Sequence, residues 1–249
     1  MKLTNKKYTH LFFDLDNTIW DFDSNSFDAL QEALKSTGLI QKLGPYDEFY
    51  KIFDSVNENL WALYREGKMS KKILRIQRFE ESFEKNNTPF PGMGESVNEA
   101  YMAEMPELTR LVEGARELLD YLHGKYEMAI ITNGFKDVQY QKITQSGLAK
   151  YFNKIFISEE VGAQKPKREI FEYAIKSMNA RKKSSLMIGD SWEADIEGAM
   201  KFGIDQIYYS PGLDSNKQQI DSNKNVIHNQ SKKTSTIVIS NLADLREIL

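Results

Sequence analysis

Short apolar runs recur along the chain, and small or polar residues follow each of them. Six runs predict buried strands, at residues 11–13, 128–131, 155–157, 186–188, 207–209 and 236–239. Helical patterns lie between the later runs, at residues 136–146, from Pro166 onward, and at 193–202. Strands that alternate with helices in this way predict an α/β fold, with a parallel sheet covered by helices on both faces.

The segment from about residue 21 to residue 108 has a different pattern, without a convincing strand. Apolar positions from Phe49 to Leu63 recur at spacings of three and four and predict a helix that ends before Gly67. Ser70 is a good N-cap for a second helix, and a turn at 87–92 precedes a third. We therefore predict a helical insertion at 21–108 that acts as a lid, and a core domain formed by 1–20 and 109–249.

Composition and charge narrow the class of protein. The formal net charge is −3 and 28% of residues are charged, so no basic excess points to a nucleic acid polymer or a membrane surface. No apolar run approaches the roughly 20 residues that cross a bilayer. The absence of cysteine excludes disulfides and thiolate metal sites and fits a reducing compartment. We expect a cytoplasmic protein with a small-molecule partner, and we interpret the polar stretch 214–233 as a long loop.

Candidate chemistry lies where the predicted strands end, because ligands of open parallel sheets bind beyond the carboxyl ends of the strands. Asp14 and Asp16 follow the first strand, where one carboxylate can attack an electrophile while the other moves protons. Later strands and loops are followed by Thr132-Asn133-Gly134, Lys165-Pro166 and Gly189-Asp190-Ser191 with Asp195. Each motif alone has an ordinary explanation as a turn, a helix cap or a solvated lysine. Their joint occurrence in this order favours a functional site.

With these four motifs the chain resembles the haloacid dehalogenase superfamily of phosphotransferases over almost its full length. The matching pieces are Phe13-Asp14-Leu15-Asp16-Asn17-Thr18, Ile130-Ile131-Thr132-Asn133-Gly134, Gln164-Lys165-Pro166 and Ile188-Gly189-Asp190-Ser191 with Asp195. The continuation Ile19-Trp20-Asp21-Phe22 is similar to the pyrimidine 5'-nucleotidase-like branch. The resemblance implies a Rossmann-like core with an inserted helical cap domain.

The resemblance also implies a Mg²⁺-dependent phosphomonoester hydrolase that forms an aspartyl-phosphate. Asp14 would be the nucleophile and Asp16 the acid and base, while Thr132, Asn133 and Lys165 would bind the phosphoryl group. Asp14, the Asp16 backbone carbonyl and Asp190 would hold the metal, supported by Asp195. An all-oxygen ligand set also suits Mg²⁺ better than Zn²⁺. A nucleoside 5'-monophosphate is the expected substrate.

Several alternatives stay open at this point. A phosphomutase or a sugar-phosphate phosphatase would use the same aspartate pair, and a non-catalytic phosphate-binding regulatory module would keep the fold alone. Asp16 speaks against a haloalkanoate dehalogenase, which normally lacks it. In the insertion, Arg78 is a candidate substrate contact, at a position that is often arginine in relatives, or else a solvated arginine. Trp20 could stack on a nucleobase, although core packing is the more ordinary role for a tryptophan.

Overall fold

The computed structural model describes residues 8–212, 220–221, 226–229 and 234–249. Side chains are described for residues 8–212 and 236–249. The strands are β1 (His10–Phe13), β2 (Glu127–Thr132), β3 (Lys154–Ile157), β4 (Ser185–Gly189), β5 (Asp205–Tyr209), β6 (Ile220–Asp221), β7 (Val226–Asn229) and β8 (Thr234–Ile239). The α-helices are α1 (Phe22–Ser36), α2 (Tyr46–Arg65), α3 (Lys71–Lys85), α4 (Gly94–Glu104), α5 (Ala115–Leu122), α6 (Lys136–Gln145), α7 (Ser158–Val161), α8 (Arg168–Ser177), α9 (Gly198–Phe202) and α10 (Leu245–Ile248).

The strands of the described residues form one sheet in the order β3-β2-β1-β4-β5-β8-β7-β6. The first six in this order pair in parallel, whereas β7 and β6 continue the sheet antiparallel at its edge. The chain adds β2 and β3 on one side of β1 and then returns to add β4 and β5 on the other. This reversal creates a topological switch point between β1 and β4. Ligands of open parallel sheets bind beyond the carboxyl ends of the strands at such a point.

Both faces of β1 are buried, which explains why its sequence is apolar without alternation. Phe12 belongs to a core cluster with Phe171 from α8 and Phe202 from α9. Leu11 and Phe13 point to the other face and are equally inaccessible to solvent. The predicted parallel sheet with helices on both faces is confirmed.

The described chain divides into two units, with boundaries after Phe22 and after Thr109. The unit from Asp23 to Thr109 is helical and contains α2, α3 and α4 together with nearly all of α1. Its core is aromatic: Phe49 stacks on Phe83, and Phe53 stacks on Phe79. Ser70 caps α3, because its Oγ accepts a hydrogen bond from the Ile73 backbone N–H at 3.3 Å. The prediction of this N-cap is confirmed.

Three local predictions need correction. The helix expected from Pro166 begins at Arg168, because Lys167 still has extended backbone angles. The helix expected at 193–202 is a π-helical turn, Trp192–Glu197, followed by α9. The long loop expected at 214–233 contains the strands β6 and β7, while its other residues lie outside the described ones. No helix among the described residues is long and apolar enough to cross a membrane.

Candidate active site

Asp14 and Asp16 follow β1 at the switch point of the sheet. The Asp14 backbone N–H still donates to the Ile188 carbonyl at 2.9 Å, so Asp14 continues the line of the strand. The chain then turns, and Asn17 adopts a left-handed conformation with φ of 57°. Because of this turn the two carboxylates have separate partners, Lys165 for Asp14 and Lys142 for Asp16.

Lys165 joins two buried carboxylates. Its Nζ lies 2.5 Å from Asp14 Oδ1 and 2.6 Å from Asp195 Oδ1, and its side chain is 3% exposed. Burial alone would lower the pKa of Lys165, but the two carboxylates outweigh it and raise that pKa above its usual value. Burial raises the pKa of Asp14 well above its usual range, and Lys165 opposes this rise. Lys165 is therefore a permanent cation that partly neutralises an acidic pocket.

Asp190 and Asp195 add the remaining acids. Asp190 directly follows β4 and accepts a hydrogen bond at 3.1 Å from Thr18 Oγ1. Asp195 is fully buried and accepts from the Ser191 backbone N–H at 3.1 Å. A Cβ atom on Gly189 would overlap the Asp195 carboxylate, so only glycine fits at this end of β4. Burial and the negative charge of Asp195 raise the pKa of Asp190 to about 7.

Asp14, Asp190 and Asp195 each offer a carboxylate oxygen, and these oxygens lie within 4.8 Å of one another. Burying carboxylates together is unfavourable unless cations or protons offset their charge, and the raised pKa values of Asp14 and Asp190 express this. A small divalent cation with a preference for oxygen ligands suits such a group of donors. The residues present therefore fit a Mg²⁺ site.

Thr132 and Asn133 lie at the end of β2, next to β1 in the sheet. The Thr132 hydroxyl accepts hydrogen bonds from the Gly134 backbone N–H at 3.0 Å and from Gln139 Nε2 at 2.7 Å. Its own O–H thus remains a donor for another group. The Asn133 side chain pairs with the backbone of Lys165, donating to its carbonyl at 2.9 Å and accepting from its N–H at 2.8 Å. This pair ties the two phosphate-binding candidates together.

Two residues of the site were missed by the sequence prediction. Gln139 and Lys142 on α6 are both buried, and both bind the carboxylate of Asp16. Their spacing of three residues places them on one face of the helix, which was the only signal in the sequence.

Arg78 and Trp20 are both buried, each in the interior of its own unit. Arg78 is 3% exposed in the helical unit, where Nη2 donates to Asn98 Oδ1 at 3.1 Å and the guanidinium lies 4.8 Å from the ring centre of Tyr101. Burial lowers the pKa of Arg78 to about 10. It is not a solvated arginine, and its role as a substrate contact stays a prediction. Trp20 is fully buried in the sheet unit, which agrees with core packing.

The sequence matches a known family over most of its length. The family model described as haloacid dehalogenase-like hydrolase matches residues 11–209 of the chain. The chain belongs to this family. Among haloacid dehalogenase-like relatives, the pyrimidine 5'-nucleotidase YjjG of Escherichia coli is 35% identical over 199 residues, which are 80% of this chain and 84% of that protein. The pyrimidine 5'-nucleotidase PynA of Streptococcus pneumoniae is 35% identical over 206 residues, 82% of this chain and 84% of that protein.

A solved structure supports the same family assignment. YfnB from Bacillus subtilis, determined bound to magnesium and described as revealing interdomain movement, superposes with a TM-score of 0.82 at 28% identity. The match covers 97% of this chain and 98% of that one. The protein is an enzyme, a phosphatase of the haloacid dehalogenase family.

Proposed function

We propose that the protein is a Mg²⁺-dependent 5'-nucleotidase that hydrolyses nucleoside 5'-monophosphates through an aspartyl-phosphate on Asp14. The observation that carries the proposal is the pairing of Asp14 with Lys165, next to Asp16, at the switch point of the sheet. A nucleophile, a group that moves protons and a fixed cation are what phosphate-monoester hydrolysis demands. The choice of nucleotide is supported by the two pyrimidine 5'-nucleotidases at 35% identity.

The first chemical step forms a bond between Asp14 and phosphorus. Lys165 binds Oδ1 of Asp14, which leaves Oδ2 to attack. The bond from phosphorus to the 5' oxygen of the nucleoside breaks, and Asp16 gives its proton to that oxygen. In the second step a water molecule attacks the same phosphorus, Asp16 removes a proton from this water, and inorganic phosphate leaves with Asp14 restored.

The phosphoryl oxygens need donors that are in place before the reaction. The Thr132 hydroxyl, the Asn133 backbone N–H and the Lys165 ammonium take this role in the proposal. The reciprocal hydrogen bonds of the Asn133 side chain with the Lys165 backbone join the two chain segments. The ion pairs of Lys165 with Asp14 and Asp195 place its ammonium group. Donors that are already oriented stabilise the charge of the transition state without reorganising during the reaction.

Asp14, Asp190 and the Asp16 backbone carbonyl are the proposed Mg²⁺ ligands, with Asp195 acting through its neighbours. When bound, Mg²⁺ would neutralise negative charge so that an anionic carboxylate can approach a dianionic phosphate. We expect phosphate release from nucleoside monophosphates to require Mg²⁺ and to stop in excess chelator. A broad panel of monophosphates, assayed with and without Mg²⁺, is the measurement. Undiminished turnover in chelator would refute the metal assignment.

The same panel distinguishes the proposed nucleotidase from the alternative functions. Preference for a sugar phosphate would replace the nucleotidase proposal by a sugar-phosphate phosphatase. A phosphorylated product in place of inorganic phosphate would identify a phosphomutase. If the protein hydrolyses no member of the panel but still binds phosphate, it would be a non-catalytic phosphate-binding regulatory module.

Arg78 carries a separate prediction about substrate choice. If the helical unit selects the leaving group, Arg78→Met should lower kcat/KM for a nucleotide about tenfold more than for acetyl phosphate, because binding energy remote from phosphorus is absent for a small substrate. The ratio of the two kcat/KM values is the measurement. Lys72→Met, which changes an exposed cation on the same helix, is the matched control. Equal losses on both substrates would assign Arg78 to the packing of the helical unit alone.

A further inference from the structure

We infer that Gln139 and Lys142 are positioning residues that hold the carboxylate of Asp16 in the orientation required for proton transfer to the leaving group. We call these two side chains the Asp16 clamp. The inference rests on the proposed function, because an oriented Asp16 matters only if Asp16 moves the proton.

Lys142 supplies the charged half of the clamp. Its Nζ lies 2.8 Å from Asp16 Oδ1, and its side chain is 4% exposed. A buried lysine is costly unless its charge has a partner, and the Asp16 carboxylate is such a partner. The ammonium also lies 4.0 Å from the ring centre of Trp20 and 5.2 Å from that of Phe22. These cation–π contacts restrict where Nζ can lie and give the buried Trp20 a role.

Gln139 supplies the neutral half and connects the clamp to the phosphate site. Its Nε2 donates to Asp16 Oδ2 at 2.8 Å and to Thr132 Oγ1 at 2.7 Å. The residue is 1% exposed, so these bonds are made away from solvent. The position of the proposed acid is thereby tied to that of a proposed phosphoryl ligand.

Gly134 makes room for this connection. A Cβ atom built on Gly134 would overlap the amide group of Gln139. A side chain at position 134 would therefore displace the Gln139 amide from Asp16 and Thr132. Gly134 does not have a positive φ, so its backbone conformation gives no separate reason for a glycine.

The clamp matters because burial alone does not fix the Asp16 side chain. β1 ends at Phe13, and the Asp16 side chain is still 26% exposed. With Lys142 on one oxygen and Gln139 on the other, the plane of the carboxyl group is set by two contacts from one helix. Each contact uses one lone pair of its oxygen, so a second lone pair can carry the proton that is transferred. Small errors in the placement of a catalytic group cost much of its rate enhancement, so losing either contact should slow the step that needs the proton.

The test compares two leaving groups in single-turnover reactions with enzyme in excess and Mg²⁺ present. Release of p-nitrophenolate needs little protonation, whereas release of an alcohol from an alkyl phosphate depends on it. We expect Asp16→Asn to slow alcohol release about 100-fold or more and nitrophenolate release far less. Lys142→Met and Gln139→Leu should show the same selectivity at about tenfold, and Lys142→Arg should recover part of the loss.

Lys182→Met is the matched control, because Lys182 also packs on a ring, 3.5 Å from the centre of Phe202, and binds a carbonyl rather than a site carboxylate. It should leave both rates unchanged. If Asp16→Asn is selective but the clamp variants slow both leaving groups equally or neither, the clamp is refuted and the proposed function stands. If Asp16→Asn is itself not selective, the acid role fails and the clamp fails with it. Should Lys142→Met not fold, Gln139→Leu decides by the same criterion.

Discussion

Asp14→Asn should abolish phosphate release, with an expected loss in kcat on the order of 10⁵ or more, as when the nucleophile of a covalent mechanism is removed. The amide has nearly the shape of the carboxylate but cannot form an acyl phosphate. Asp14 is 8% exposed at the end of β1, so a water molecule does not readily replace it in line with phosphorus. The change also removes one of the two carboxylates that neutralise Lys165.

The measurement is steady-state phosphate release, together with acid quench during turnover and mass spectrometry of the peptide that contains Asp14. The parent should carry a phosphoryl group on this peptide, and Asp14→Asn should carry none. Asp205→Asn is the matched control, because Asp205 is also an aspartate of a core strand and accepts a hydrogen bond from Tyr8 at 2.7 Å, away from the site. Activity of Asp14→Asn within tenfold of the parent, or a phosphoryl group on another residue, would overturn the assignment of the nucleophile.

Elements with strong periodic signals were predicted well from sequence. All six predicted strands are present, and α2, α3 and α6 lie within a few residues of their predicted ranges. These elements are buried, so their apolar residues are dictated by the core and not by local preference. The strands β6 and β7 were missed because their segment is rich in Asn, Gln, Ser and Lys. Its few apolar residues, Ile220 and Val226-Ile227, form neither a longer apolar run nor an alternating pattern.

The sequence predicted site residues that lie next to strand ends but not those that reach the site from a helix. Residues next to strand ends, such as Asp14 and Asp190, could be placed from sequence because parallel strands bring their carboxyl ends to one edge. Gln139 and Lys142 contact Asp16 from the first turns of α6, across more than 120 residues of sequence. No local pattern distinguishes a helical lysine that turns inward from a solvated one. Lys165 was assigned to phosphate binding, but its bridge to the buried Asp195 follows only from the fold.

That bridge leads to a prediction about stability. Lys165→Met should lower the free energy of unfolding by about 3–5 kcal/mol without metal, because it leaves two buried carboxylates without their cation. The Asp14 and Asp195 side chains are 11% and 0% exposed, so solvent does not replace the lost ammonium. Activity should fall as well, since Lys165 is a proposed phosphoryl ligand. The midpoint of thermal unfolding should drop by roughly 10 °C for a chain of this size.

Lys142→Met is the matched comparison within the same site. It removes an equally buried ammonium, but its partner Asp16 is 26% exposed and can be hydrated after the change. Its loss of stability should therefore be smaller, about 1 kcal/mol. Equal losses for the two variants would show that burial of the partner carboxylate does not control the cost.

Mg²⁺ titration of thermal unfolding adds a readout that does not depend on turnover. If Asp14 and Asp190 bind the ion, Lys165→Met should gain more stability from Mg²⁺ than the parent gains, because the variant lacks the ammonium that repels the ion and competes for Asp14. A ligand that binds only the folded state raises stability in proportion to the logarithm of its concentration over its Kd, so a tighter site appears as a larger shift at equal Mg²⁺. Equal shifts in parent and variant would place the bound ion away from Lys165, and the proposed ligand set would be wrong.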